Sequence, residues 1–225
     1  YMCKAKNFED KEDGRCLVDI EELVDDYIDK QKKNNKRWLN IGDDERKMIK
    51  EKVFSVSKLT KFDDDIRNMC LIACMTDKQS EYMWSNYAKE KRGICLEYDI
   101  LDVLEAIKKS NIRLIPIWYV ENRSEEERIK FGVEEYREDY PDILMLRKYI
   151  LSCVTKNRNP YVRESEWRLL NEDGGLLING NGALFNFAMP KRILLGKNID
   201  YNIEFKDSVY RVANKLCVEI ANEGN

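Results

Sequence analysis

Glu164-Ser165-Glu166-Trp167-Arg168 is the stretch whose residue types and spacing could do chemistry most directly. On an extended strand alternate side chains share a face, so Glu164, Glu166 and Arg168 would project together while Trp167 turned into the core. Two carboxylates beside a guanidinium have three uses. They can form a structural ion-pair ladder, bind a polar ligand, or supply a carboxylate general base next to a cationic clamp. Spacing alone leans toward the ladder and leaves the other two open. Lys156 and the Asn157-Arg158-Asn159-Pro160-Tyr161 turn lie just upstream and could bring further polar groups to the same rim.

A second group is Met83-Trp84-Ser85-Asn86-Tyr87-Ala88, followed by Gly93. Trp84 and Tyr87 stand at helical spacing, where an aromatic pair is more often core than a platform for stacking a ring. Thr76 closes an apolar strand just before this helix and offers a hydroxyl to a ligand. Glycines 174, 175, 180 and 182 lack the Gly-Lys-Ser/Thr of a phosphate loop and read as a hairpin or flexible loop. Asp63-Asp64-Asp65 reads as a loop or helix cap, since adjacent carboxylates diverge and make a poor metal site.

Composition limits the chemistry further. The 225 residues contain no histidine, so a Ser-His-Asp triad, a Cys-His dyad and any imidazole-ligated zinc are absent from this sequence. Chemistry falls to carboxylates, Lys, Arg, Tyr, Ser/Thr or Cys, and no metal is expected. With 39 Lys+Arg against 42 Asp+Glu, the net charge of −3 offers no basic field for a nucleic-acid backbone. The seven scattered cysteines do not resemble a secreted disulfide framework and suggest a reducing cytoplasm. Cys70 and Cys74 read as small core hydrophobes. No apolar run approaches a membrane span. The sequence opens at Tyr1 on an alternating segment that reads as a strand already under way, so a short N-terminal segment is expected to be missing.

The elements that must position these groups follow from periodicity. A strand opens the chain, and a charged turn closes at Gly14. Helices are expected over 17–28 and 43–56, with a solvated run over 30–37. A strand over 69–75, a helix over 80–90 and a strand over 94–98 follow, and Asp99 caps a helix reaching about 109. Residues 112–120 read as one strand, and 124–138 and 141–154 as helices, with Pro141 in a first turn. Strands over 166–170, 183–188 and 192–195 and a helix over 202–215 lead into 217–220. With no repeat and no linker, the expectation is a single α+β domain over 1–225, its mixed, mainly antiparallel sheet flanked by helices.

These residues, in this order, resemble a bacterial family of domains of unknown function, DUF2971. The resemblance rests on the strand ending at Thr76, Met83 to Ala88, Gly93 to Asp99, Ile117-Trp118-Tyr119, Lys156, Glu164 to Arg168, and Pro190 to Gly196. It departs from the family pattern at the early Phe-Asn-Asp-Pro-x-Glu turn, here Phe8-Glu9-Asp10-Lys11-Glu12-Asp13, and Thr76 stands where the family has serine. A weaker resemblance, to ADP-ribosyltransferase-like domains, implies NAD bound in a cleft of a split sheet. It gives Glu166 the role of stabilising an oxocarbenium-like transition state and Glu164 that of orienting an acceptor or water. Tyr87 or Trp84 would stack on the nicotinamide, with Lys156 or Arg168 at the pyrophosphate. The resemblance thus implies a cytoplasmic, NAD-using toxin or anti-phage effector that takes a small nucleotide ligand. Two other readings stand beside it. One is a non-catalytic ligand-sensing or protein-interaction module. The other is a metal-dependent nuclease built on Glu164, Glu166 and Asp99 with Lys156, which the near-neutral charge disfavours.

Overall fold

The computed structural model describes residues 1–8, 10, 12–68, 70–77, 79–108, 110–132, 143–171 and 182–224. In chain order the strands are β1 (Met2–Lys4), β2 (Leu71–Thr76), β3 (Ile94–Glu97), β4 (Ile112–Pro116), β5 (Trp118–Val120), β6 (Thr155–Asn157), β7 (Glu166–Asn171), β8 (Gly182–Ala183), β9 (Arg192–Leu195) and β10 (Glu219–Asn222). The helices are α1 (Ile20–Asn34), α2 (Asp43–Lys52), α3 (Val56–Arg67), α4 (Glu81–Tyr87), α5 (Ile100–Ile107), α6 (Ile143–Cys153), the single turn α7 (Arg158–Tyr161) and α8 (Ile203–Leu216). The fold is α+β with a mainly antiparallel sheet, as the sequence implies.

Five strands form the main sheet in the order β4-β7-β2-β1-β8, all antiparallel. A three-stranded sheet, β10-β9-β3, joins a parallel to an antiparallel pair, and β5 pairs in parallel with β6. Alternation sorts the main sheet's side chains onto two faces. Leu71, Leu169, Ile112 and Met2 pack on one face with Ile107 of α5. Ile72 and Leu170 pack on the other against Phe62 and Ile66 of α3 and Tyr149 and Cys153 of α6. In β9, Ile193 and Leu195 face α8, while Leu194 faces Trp84 and Ala88.

Several elements differ from expectation for physical reasons. Asp63, Asp64 and Asp65 lie inside α3, not in a loop. Asp63 turns inward, where its Oδ1 accepts from the Cys16 N–H at 2.8 Å, and its two neighbours stay exposed. The stretch 112–120 is two strands. Past Pro116, which has no N–H, Ile117 donates to Glu166 O at 2.9 Å and Trp118 to Val154 O at 2.7 Å, so the chain changes partners there. The predicted helix over 124–138 is, in its described part, two 3-10 turns. Asn122 Oδ1 accepts from Ser124 N (3.1 Å) and Glu126 Oε1 from Arg128 N (3.3 Å), local bonds that compete with an α-helix.

The helix expected over 80–90 is shorter: Ser80 caps it, its side chain accepting from Met83 N, and it ends at Tyr87. The strand over 183–188 shrinks to β8, after which Phe185 and Phe187 pack on the α5 side of the sheet without a ladder. Pro141 and glycines 174, 175 and 180 lie outside the described residues. No helix is long and apolar enough to cross a membrane among them.

Candidate functional site

The face of β7 that carries Leu170 in the core carries Arg168 and Glu166 toward its start, so an apolar surface passes into a charged one along a single strand. The register fixes the neighbours: Arg168 lies opposite Cys74 and Glu166 opposite Thr76 on β2. Glu164 is not on the strand. It ends a 3-10 turn (Val162–Glu164), and Ser165, in the left-handed region at φ 46°, reverses the chain into β7. Thr76 Oγ1 donates to Glu164 O at 2.7 Å and the Glu166 N–H to Tyr119 Oη at 2.9 Å, which pins the turn from both sides. The predicted polarity is inverted: Arg168 is 0% exposed and Glu166 7%, whereas Trp167, expected in the core, is only half-buried.

Both glutamates converge on one ammonium. Lys156 Nζ, on β6, lies 2.9 Å from Glu164 Oε2 and 2.8 Å from Glu166 Oε2, with Asp13 Oδ2 at 3.7 Å. Arg168 closes the other side. Its Nε meets Glu166 Oε1 at 2.7 Å, and its two terminal nitrogens meet Asp13 at 2.7 and 2.6 Å in a bidentate fork, one of them also donating to Cys153 O. Tyr87 donates its hydroxyl to Glu164 Oε1. All six carboxylate oxygens of Asp13, Glu164 and Glu166 therefore have a partner. Three carboxylates against two cations leave the group at a formal −1.

The pKa directions follow from this packing. Burial pushes the Glu166 carboxyl up, but the charge and hydrogen bond of Arg168, joined by Lys156, outweigh it and hold it at about 2. Burial lowers the Lys156 ammonium, and the Glu166 and Asp13 carboxylates reverse that, leaving it above the ordinary lysine value. Burial and the bond to Glu164 both raise the Tyr87 phenol. Glu166, Lys156 and Tyr87 are thus each held in their pH 7 state.

Of the residues singled out in the sequence, Thr76, Tyr87, Lys156, Glu164, Glu166 and Arg168 come together. Trp84 does not, being buried with Ala88 and Leu194. Asp99 caps α5, accepting from Leu101 N at 2.8 Å, and the Lys156 ammonium fills the place between Glu164 and Glu166 where a metal would be shared. Asp13 is the member that sequence reasoning missed. It sits in the charged turn before Gly14, whose φ of +66° suits glycine and where a Cβ would meet Ala5 Cβ at 3.1 Å. The same turn supplies Phe8, whose ring lies 5.5 Å from the Arg168 guanidinium, and Asp10, which accepts from Tyr161 Oη at 3.0 Å. Asp13 stands among several acidic residues of one turn, and nothing in their spacing distinguishes it.

Beyond Tyr87 the backbone is strained. Lys89, Glu90 and Lys91 take φ of 49°, 55° and 67° in succession, at about 1–2 kcal/mol each for side chains with a Cβ. The turn is held by Glu90 N to Ser85 O (3.2 Å), Lys91 N to Trp84 O (3.1 Å) and Gly93 N to Ala88 O (2.9 Å). Asn198 clamps it from outside, its backbone N–H donating to Lys91 O at 2.9 Å and its Nδ2 to Glu90 O at 3.0 Å. Lys91 pairs with Glu81 and, at 3.2 Å, with Glu223.

No curated protein and no solved structure matches the chain. The model of the family described as protein of unknown function (DUF2971) matches residues 83–169, a span that opens at the Met-Trp-Ser-x-Tyr-Ala helix and closes just past Arg168. Every charged member of the buried cluster except Asp13 falls inside it, so the part of the chain that is similar to this family carries most of the cluster.

Proposed function

We propose that the chain is a non-catalytic ligand-sensing module, in which the Glu164–Arg168 segment braces a fixed surface and does no bond-making itself. The observation that carries this reading is the full engagement of the carboxylates. A glutamate that stabilises an oxocarbenium-like transition state must offer an oxygen to the sugar. Both oxygens of Glu166 are held by Arg168 and Lys156, and both of Glu164 by Tyr87 and Lys156. Freeing Glu166 means breaking a buried, charge-assisted bond, and freeing Glu164 means breaking either its buried bond to Lys156 or its part-buried bond to Tyr87. The seven free thiols suit a reducing compartment, and we place the protein in the bacterial cytoplasm.

The rival reading, an NAD-using ADP-ribosyltransferase-like toxin or anti-phage effector, has one observation in its favour. Six of its seven expected site residues converge, and the Tyr87 ring above them is 62% exposed. The two readings part on Glu166→Gln. For a module, the wild-type chain incubated with NAD releases no nicotinamide, and the substitution lowers unfolding free energy by about 2–4 kcal/mol. Nicotinamide release that a folded Glu166→Gln chain loses would establish the enzyme and end the module reading.

A further inference from the structure

The Tyr87 ring does more than cover the charged cluster. Its hydroxyl donates to Glu164, and the residue also lines a groove of about 610 Å³ whose lining includes none of the cluster's charged residues. The groove runs between the left-handed turn and the start of α8, and its aromatic walls are Tyr87, Tyr201 and Phe205. This volume lies in the usual range for small-molecule sites. Tyr201 is 79% exposed, so two tyrosine rings and a phenylalanine open to solvent around one hollow. Such rings provide flat faces for stacking.

The polar lining has a sign. Arg92 lies with its guanidinium carbon 5.5 Å from the Tyr201 ring centre, and its distant pairing with Glu90 at 3.8 Å leaves it available. Lys89 lines the same groove and has no ion-pair partner among the described residues. Two cations against one carboxylate make the groove locally positive in a chain whose net charge is −3. The strained turn from Lys89 to Lys91 supplies this wall and is held by Asn198 and Glu223, so the cations are presented by backbone fixed from outside the groove.

We infer that this groove is the ligand site of the module and that it takes a nucleoside monophosphate. The base stacks among Tyr87, Tyr201 and Phe205, and the phosphate is met by Arg92 and Lys89. This inference rests on the ligand-sensing reading and assigns that reading's site and ligand class. It places the ligand outside the glutamate cluster, with Tyr87 as the residue common to both.

The test is isothermal titration calorimetry of the full chain with AMP, GMP, CMP and UMP, alongside the four corresponding nucleosides and inorganic phosphate. The expected result is saturable micromolar binding of at least one monophosphate, with its nucleoside and phosphate alone each roughly tenfold weaker or more. Arg92→Ala and Tyr201→Ala, both at exposed positions, each weaken it roughly tenfold while circular dichroism and melting stay at wild type. Arg37→Ala, remote from the groove, leaves binding unchanged. No binding by any of the four monophosphates, or binding that survives the Arg92→Ala/Tyr201→Ala double variant, overturns the inference. Either result leaves the module reading in place so long as NAD is not consumed. NAD consumption lost in Glu166→Gln removes the module reading whatever the groove binds.

Discussion

Replacing Lys156 by Met removes the one ammonium that Glu164, Glu166 and Asp13 share, and keeps most of the side chain's volume. The cluster then holds three carboxylates against Arg168 alone. Breaking a buried ion pair from one side costs about 3–5 kcal/mol, because the partner charges stay desolvated. The sharper expectation concerns pH. In the wild type Glu166 is held at about 2 against an ordinary 4.5. A depressed folded-state pKa gives stability that is complete above the unfolded value and lost as pH falls from about 4.5 toward 2. At 1.36 kcal/mol per unit the amount is about 3 kcal/mol, and stability between pH 7.5 and 5.5 owes nothing to this group's titration. Without Lys156, burial and like charge raise at least one carboxylate above its unfolded value. The sign then reverses, and the variant gains stability as pH falls, by up to about 2.7 kcal/mol from pH 7.5 to 5.5 for one added proton. Urea unfolding at several pH values reads both slopes. Parallel curves for wild type and variant, or a loss below about 1 kcal/mol at pH 7.5, would refute the view that Lys156 neutralises a buried cluster.

Two further outcomes follow from single contacts. Tyr87→Phe removes the hydroxyl that donates to Glu164 and leaves the ring lining the groove, so unfolding free energy falls by about 1.5–3 kcal/mol while ligand binding in the groove persists. Gly196→Ala places a Cβ 2.2 Å from Lys91 O, which forces the left-handed turn away from β9. A loss of about 2 kcal/mol or more in thermal unfolding is expected, together with weaker groove binding. An alanine there that is neutral in both assays would show that the turn is not clamped.

Alternation and capping residues made much of the fold legible. β2, β3, β7 and β9 lie where apolar runs placed strands, and Asp99 caps α5 as its side chain suggests. What the sequence hid was long-range. Pro116 sits in an apolar run that looks continuous, and only the switch of partner from Glu166 to Val154 divides it. Asp63 reads as a cap because three aspartates are adjacent, yet one of them is claimed by a backbone N–H from residue 16. The site was legible as a set of residue types but not as an arrangement. The period-2 rule put Glu164 on the strand, whereas the left-handed Ser165 delivers it from a turn. The rule that charges face water sent Trp167 inward, whereas pairing with Asp13 and Lys156 makes burial of Glu166 and Arg168 tolerable.

The fork between Arg168 and Asp13 also bears on how the chain acquires its structure. Its partners stand 155 residues apart, and closing a loop of that length carries an entropic cost of about 4–5 kcal/mol. One ion pair does not meet that cost alone, so the β1–β2 and β2–β7 ladders must first draw the two ends together. On the ribosome the turn around Asp13 therefore stays open until the strand bearing Arg168 has been made and has emerged. A turn made long before Arg168 is thus among the last to lock, and a nascent chain stalled before residue 168 should expose it to a protease that the finished protein resists.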